Sequence, residues 1–114
     1  MKKQTPHVIQ LLNRLRMRQV ALLLAIEETG TLGAAAKSIG MTQPAATKML
    51  TELESTLGQK LFSRTGRALH INDAGRRALL RFRGVRGTLE QLQRELHDLE
   101  LGQTGRVSIG CIMA

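Results

Sequence analysis

Gln43, Thr47 and Thr51 recur every four residues between Gly40 and Gly58, so on a helix they would stack along one face, flanked by Pro44 and Lys48. A glutamine amide donates and accepts at once, which suits the adenine edge in the major groove of duplex DNA. Threonine hydroxyls bond phosphates or base edges, and lysine neutralises a phosphate. Arg64 and Arg67 follow, with Arg67 at the tip of a Thr65-Gly66-Arg67 turn, where a guanidinium could enter a minor groove or grip its rim. The same residue types also describe an ordinary solvated helix face, so the elements that position them matter.

Thr42 is a natural N-cap and Pro44 suits a first turn, which predicts a helix over Gln43–Leu57 closed by Gly58. Its apolar stripe is Ala46, Met49, Leu50, Leu53 and Leu57, leaving the polar face outward. Upstream, Met17–Thr29 is apolar nearly all round in its middle and predicts a helix buried on most of its surface. Gly30 stops it. Thr31 caps a short helix over Leu32–Ile39, with Leu32, Ala35, Ala36 and Ile39 on one face and Gly40 at its end. Two helices joined by a short glycine turn form the helix-turn-helix pattern. Alanine-rich pairs of this kind also occur as plain core elements, so the local pattern leaves both readings open.

Segments Lys60–Arg64 and Ala68–Asn72 flank the Thr65-Gly66-Arg67 turn and read as a two-stranded wing. At the N-terminus Thr5-Pro6 has the form of a cap for a short lead-in helix, with Val8, Leu11, Leu12 and Leu15 at helical spacing. Asn72 caps a long helix predicted from Asp73 to about Leu101. Phe82, Val85, Leu89, Leu92, Leu96 and Leu99 alternate spacings of three and four along it, a heptad seam that calls for a partner helix; the other reading is that it packs on its own domain. Gly102-Gln103-Thr104-Gly105 reads as a linker and Arg106–Ala114 as one strand without a partner, as if the chain stops inside something larger. The expected organisation is a lead-in over 1–16, a winged helix-turn-helix over 17–72, a dimerising linker helix over 73–101, and a hinge with a first strand over 102–114.

Composition agrees with this mainly α architecture. The 114 residues are 42% hydrophobic but 2% aromatic, without Trp or Tyr, so the core must be packed from aliphatic side chains, which favours helices over a β-sandwich. The formal net charge of +8 is the footprint of a polyanion binder. Between Lys60 and Arg86 eight basic residues (Lys60, Arg64, Arg67, Arg76, Arg77, Arg81, Arg83, Arg86) face one acid, Asp73. From Gly87 to Gly105 the balance reverses, with Glu90, Glu95, Asp98 and Glu100 against Arg94. Such a gradient fits one end facing DNA and the other facing protein.

No apolar run reaches the ~18 residues a bilayer span needs, and the Met1-Lys2-Lys3 start does not resemble a signal peptide, so a cytoplasmic protein without membrane contact is expected. A single cysteine, Cys111, excludes an internal disulfide framework. His7, His70 and His97 are scattered, no carboxylate pair sits beside a nucleophile, and no phosphate-cradling loop occurs. Neither an enzyme nor a metal or cofactor site is expected.

With those residues in view, AAAKSIGMTQPAATKMLTELESTLGQKLFSRTGR (34–67) and HINDAGRRAL (70–79) resemble the N-terminal domain of LysR-type transcriptional regulators, over about Met17–Leu101. The resemblance implies a winged helix-turn-helix that binds promoter DNA, on a linker helix pairing antiparallel with its twin in a dimer or higher oligomer. It also implies a following domain that senses a small molecule, of which Val107–Met113 would be the first strand. Positions matching the family's DNA contacts are Thr42, Gln43, Pro44, Thr47, Lys48, Arg64 and Arg67. Two rivals stand beside it: a molybdate-responsive type of winged-helix regulator, and a helical module that holds an acidic partner protein through the basic surface and the seam.

Overall fold

The middle of the helix over Met17–Thr29 is apolar nearly all round because it is buried from two sides. In the computed structural model, which describes residues 4–66 and 68–106, that helix (α2) follows α1 (Gln4–Arg14) and precedes α3 (Leu32–Ser38) and α4 (Gln43–Leu57). A hairpin of β1 (Phe62–Thr65) and β2 (Ala68–Ile71) comes next, then α5 (Asp73–Arg106). On one side Leu22, Ala25 and Ile26 of α2 meet Leu32, Ala35 and Ala36 of α3 and Ala46 and Leu50 of α4. On the other side Val20, Leu23 and Leu24 meet Leu53, Leu61, Leu79 and Phe82. The alanines of α3 and α4 let these two helices approach closely, and Ala35 and Ala46 are wholly buried.

The element ends follow their caps. Thr31 Oγ1 accepts from the Ala34 N–H at 3.1 Å and opens α3. Helix α3 closes one residue earlier than expected, because Ile39 leaves helical geometry (φ −109°, ψ 15°) while its N–H still reaches Ala35 O and Ala36 O at 3.2 Å each. Gly40, at φ +73°, adopts the left-handed backbone that lets the chain reverse into α4, and the Met41 N–H closes back on Ala36 O at 2.8 Å.

The hairpin pairs antiparallel, Phe62 with Ile71, Ser63 with His70, Arg64 with Leu69 and Thr65 with Ala68. Its base lies two residues inside the expected Lys60 and one inside the expected Asn72, since the groups there bond elsewhere, while β1 runs one residue past the expected Arg64 to Thr65. The Leu61 N–H goes to Glu54 Oε2 (2.8 Å), and Lys60 O accepts from the Asn72 side chain (2.9 Å). Phe62, Leu69 and Ile71 pack against the helical core.

Two expectations about extent are corrected. Helix α1 starts at Gln4, so Thr5 and Pro6 lie inside its first turn rather than capping it. Helix α5 continues through Gly102–Gly105, where a linker was expected, to Arg106. Glycine costs a helix only about 1 kcal/mol relative to alanine, and no proline interrupts the run. Of the strand expected over Arg106–Ala114, Arg106 is instead the last residue of α5, and the rest lies outside the described residues.

The chain divides into two compact units, one through Phe82 and one from Arg83 onward. The first extends ten residues past the expected boundary at Asn72, because the opening turns of α5 carry Leu79 and Phe82 into the core. In the second unit Leu89, Leu92, Leu96 and Leu99 are each about half exposed along one face, at 47–61%.

Candidate nucleic-acid interface

Helix α4 is anchored by one face and presents the other. Ala46 and Leu53 are fully buried and Leu50 nearly so, whereas Gln43, Pro44, Lys48 and Thr51 are exposed and Thr47 is half-buried. All five polar-face positions expected from the sequence therefore share one surface. Thr42, exposed in front of them, holds the helix start: its Oγ1 accepts from the Ala45 N–H at 3.3 Å, which leaves the hydroxyl hydrogen to donate to a phosphate. Thr51 is bonded within its own helix. Its hydroxyl donates to Thr47 O at 3.1 Å, so in this rotamer it presents lone pairs and a methyl group outward rather than a proton.

The turn that sets the angle of α4 is tied from α2, whose Arg18 guanidinium donates to Ile39 O at 2.9 Å. This is a positioning contact that sequence reasoning missed. An arginine in the middle of basic sequence carries no signal that distinguishes it from a phosphate binder.

In the wing, Arg64 is exposed and stands opposite Leu69, on the hairpin face that carries Phe62 and Ile71 to the core. His70 stands opposite Ser63 on the other face, also exposed. Arg67, expected at the tip, lies outside the described residues. The wing's base is fixed by Asn72. Its Oδ1 accepts from the Gly75 N–H (2.8 Å), its Nδ2 donates to Lys60 O (2.9 Å), and its backbone N–H donates to Leu61 O (3.0 Å). The sequence predicted only the first of these, the cap. Arg76 bonds Ile71 O at 3.3 Å and pairs with Asp73, so one of the eight clustered basic residues braces the wing.

Gly75 fits between these parts with no room to spare: a Cβ there would lie 2.2 Å from Leu61 O and 2.6 Å from Ile71 Cγ1. Gly75 stands within the HINDAGRRAL segment, but the reason for a glycine there is steric and long-range. The expected dimer seam is divided between the two units. Phe82 is 7% exposed and belongs to the core beside Leu23, Leu53 and Leu79, while Val85 is half-buried and Leu89, Leu92, Leu96 and Leu99 remain accessible. Among the described residues no group of three or more His, Cys, Asp or Glu is placed to hold a metal ion, and no helix is long and apolar enough to cross a membrane.

A helix pair at a tight turn, with the second helix half-buried and a two-stranded hairpin following it, defines a winged helix-turn-helix protein. Residues 17–76, more than half of the chain, match the family described as bacterial regulatory helix-turn-helix protein, lysR family. The chain belongs to the LysR family. It is 42% identical over 101 residues to the HTH-type transcriptional regulator GbpR of Azospirillum brasilense, which covers 89% of this chain and 30% of that protein. To the GbpR of Rhizobium radiobacter it is 36% identical over 100 residues, 86% of this chain and 33% of the relative. The chain thus spans about a third of the length of these curated relatives. Among solved structures it is similar to the CbnR DBD–DNA complex (TM-score 0.69, 27% identity, 75% of this chain and 99% of that one). The BenM DBD in complex with catB site 1 DNA shares the fold (TM-score 0.71, 19% identity, 78% of this chain and 96% of that one).

Proposed function

We propose that this chain is the DNA-reading part of a LysR-type transcription regulator. Helix α4 lies in the major groove with Gln43 on base edges, Thr42, Thr47 and Lys48 on phosphates or neighbouring bases, and Pro44 and Thr51 in apolar or accepting contact. Arg64 and Arg67 reach the adjacent minor groove. The observation that carries this reading is the two-faced burial of α4: Ala46, Leu50 and Leu53 hold it rigidly while Gln43, Lys48 and Thr51 stand outward. A rigid element presenting a glutamine amide discriminates bases by about 1–3 kcal/mol per bidentate pair.

The exposed leucines of α5 fit pairing with a second copy, which would set two reading helices against two half-sites on one face of the duplex. The relatives are about three times as long, which supports a further domain; in the LysR-type reading that domain binds a small-molecule effector and controls the pair. In this role the chain acts by binding, without a catalytic step or cofactor, in the cytoplasm where promoter DNA is found.

Selection of bound sequences from random duplex DNA is the direct test. A two-fold-related consensus is expected, bound more tightly than random duplex at the same salt concentration. Gln43→Ala is expected to relax one position of each half-site. Equal binding to random duplex, or an unchanged consensus in Gln43→Ala, would overturn the assignment of α4.

A further inference from the structure

Gln43 does not stand alone on the reading face; its carboxamide lies back over the start of α3. A Cβ at Gly33 would lie 3.1 Å from Gln43 Oε1 and 3.7 Å from Cδ, with no other atom within 4 Å apart from its chain neighbours and its own helix backbone. Gly33 is the second residue of α3 and does not adopt a left-handed backbone, so its conformation suits any residue. Glycine in a helix is disfavoured by about 1 kcal/mol relative to alanine, and here no backbone need offsets that cost. What the missing side chain leaves is a bay, and the group in it is the amide assigned to read bases.

We infer that Gly33 is a specificity-positioning residue: its bare backbone seats the Gln43 carboxamide against α3, and a side chain at position 33 re-aims that amide and changes the base it prefers. Bidentate pairing needs both amide atoms in the plane of the base edge, so a displacement of a few tenths of an ångström at Oε1 alters donor and acceptor geometry together. The flexible end of Gln43 yields, whereas the core beneath Ala35 and Ala36 does not. The effect therefore falls on recognition rather than on folding.

This inference rests on the reading of Gln43 given above, and a two-residue cycle separates the two. Gly33→Ala, Gln43→Ala and the double variant are compared with the parent chain, by competition between the selected site and sites altered at each base pair. Gly33→Ala is expected to keep or raise the melting temperature, leave binding to random duplex unchanged, and alter preference at the Gln43-dependent base pair by threefold or more, about two thirds of the smallest free energy of one bidentate contact. In the Gln43→Ala background the same substitution is expected to change nothing. Without DNA, the Gln43 side-chain NH2 resonances are expected to shift in Gly33→Ala. An unchanged preference in Gly33→Ala, or an equal change with and without Gln43, overturns the inference while the reading of Gln43 stands. An unchanged preference in Gln43→Ala alone overturns both.

Discussion

Replacing Gly75 with alanine adds one methyl group where there is no space for it. The new Cβ would meet Leu61 O at 2.2 Å and Ile71 Cγ1 at 2.6 Å, so helix and wing must separate by roughly 1 Å to restore ordinary carbon–oxygen contact. Overpacking of this kind costs about 1–3 kcal/mol. The separation also pulls on two hydrogen bonds at the same joint, Gly75 N–H to Asn72 Oδ1 (2.8 Å) and Asn72 N–H to Leu61 O (3.0 Å), each worth about 1 kcal/mol. Alanine's better helix propensity returns about 1 kcal/mol. The net expectation is a loss of about 2–4 kcal/mol, which at this chain length lowers the melting temperature by about 8–17 °C. Thermal unfolding followed by circular dichroism at 222 nm measures it. Gly87→Ala is the control, since a Cβ there meets nothing within 4 Å and the substitution should hold or raise the melting temperature. A Gly75→Ala protein melting at or above the parent would refute the steric reasoning.

Three further predictions concern the core, the wing and the seam. Leu53 is fully buried where α4 meets α2 and the start of α5, so Leu53→Ala should cost about 2–5 kcal/mol in urea denaturation, and a loss below 1 kcal/mol would contradict that placement. Arg64→Ala should weaken binding about equally across DNA sequences and reduce the slope of log K against log salt by about 0.9, the signature of one lost phosphate contact; a sequence-dependent loss with an unchanged slope would instead make Arg64 a base reader. Leu92→Glu with Leu96→Glu should convert a dimer to monomers in sedimentation at micromolar concentration while leaving the core around Leu53 folded; a parent chain already monomeric there would contradict the seam.

Helix α4 was legible in the sequence to the residue, because each cue for Gln43–Leu57 is local: a capping threonine, a proline in the first turn, a glycine past the end and a stripe of period 3.6. The end of α5 was not, since Gly102 and Gly105 are weak breakers and nothing local distinguishes a tolerated glycine from a linker. Phe82 illustrates a different limit. Its heptad spacing placed it on the seam, and spacing along one helix does not say which other element fills the space opposite.

The sequence by itself therefore determined the element order, the two faces of α4 and the basic character of the wing, all consequences of local propensity, periodicity and charge. Only the tertiary structure decided what depends on contacts between residues far apart in the chain. Leu61 forbids a side chain at Gly75, Asn72 joins wing to helix, Phe82 belongs to the core, and Gly33 lies beside the Gln43 amide. Those contacts arise when distant segments meet at fixed distances, and sequence spacing carries no measure of that distance.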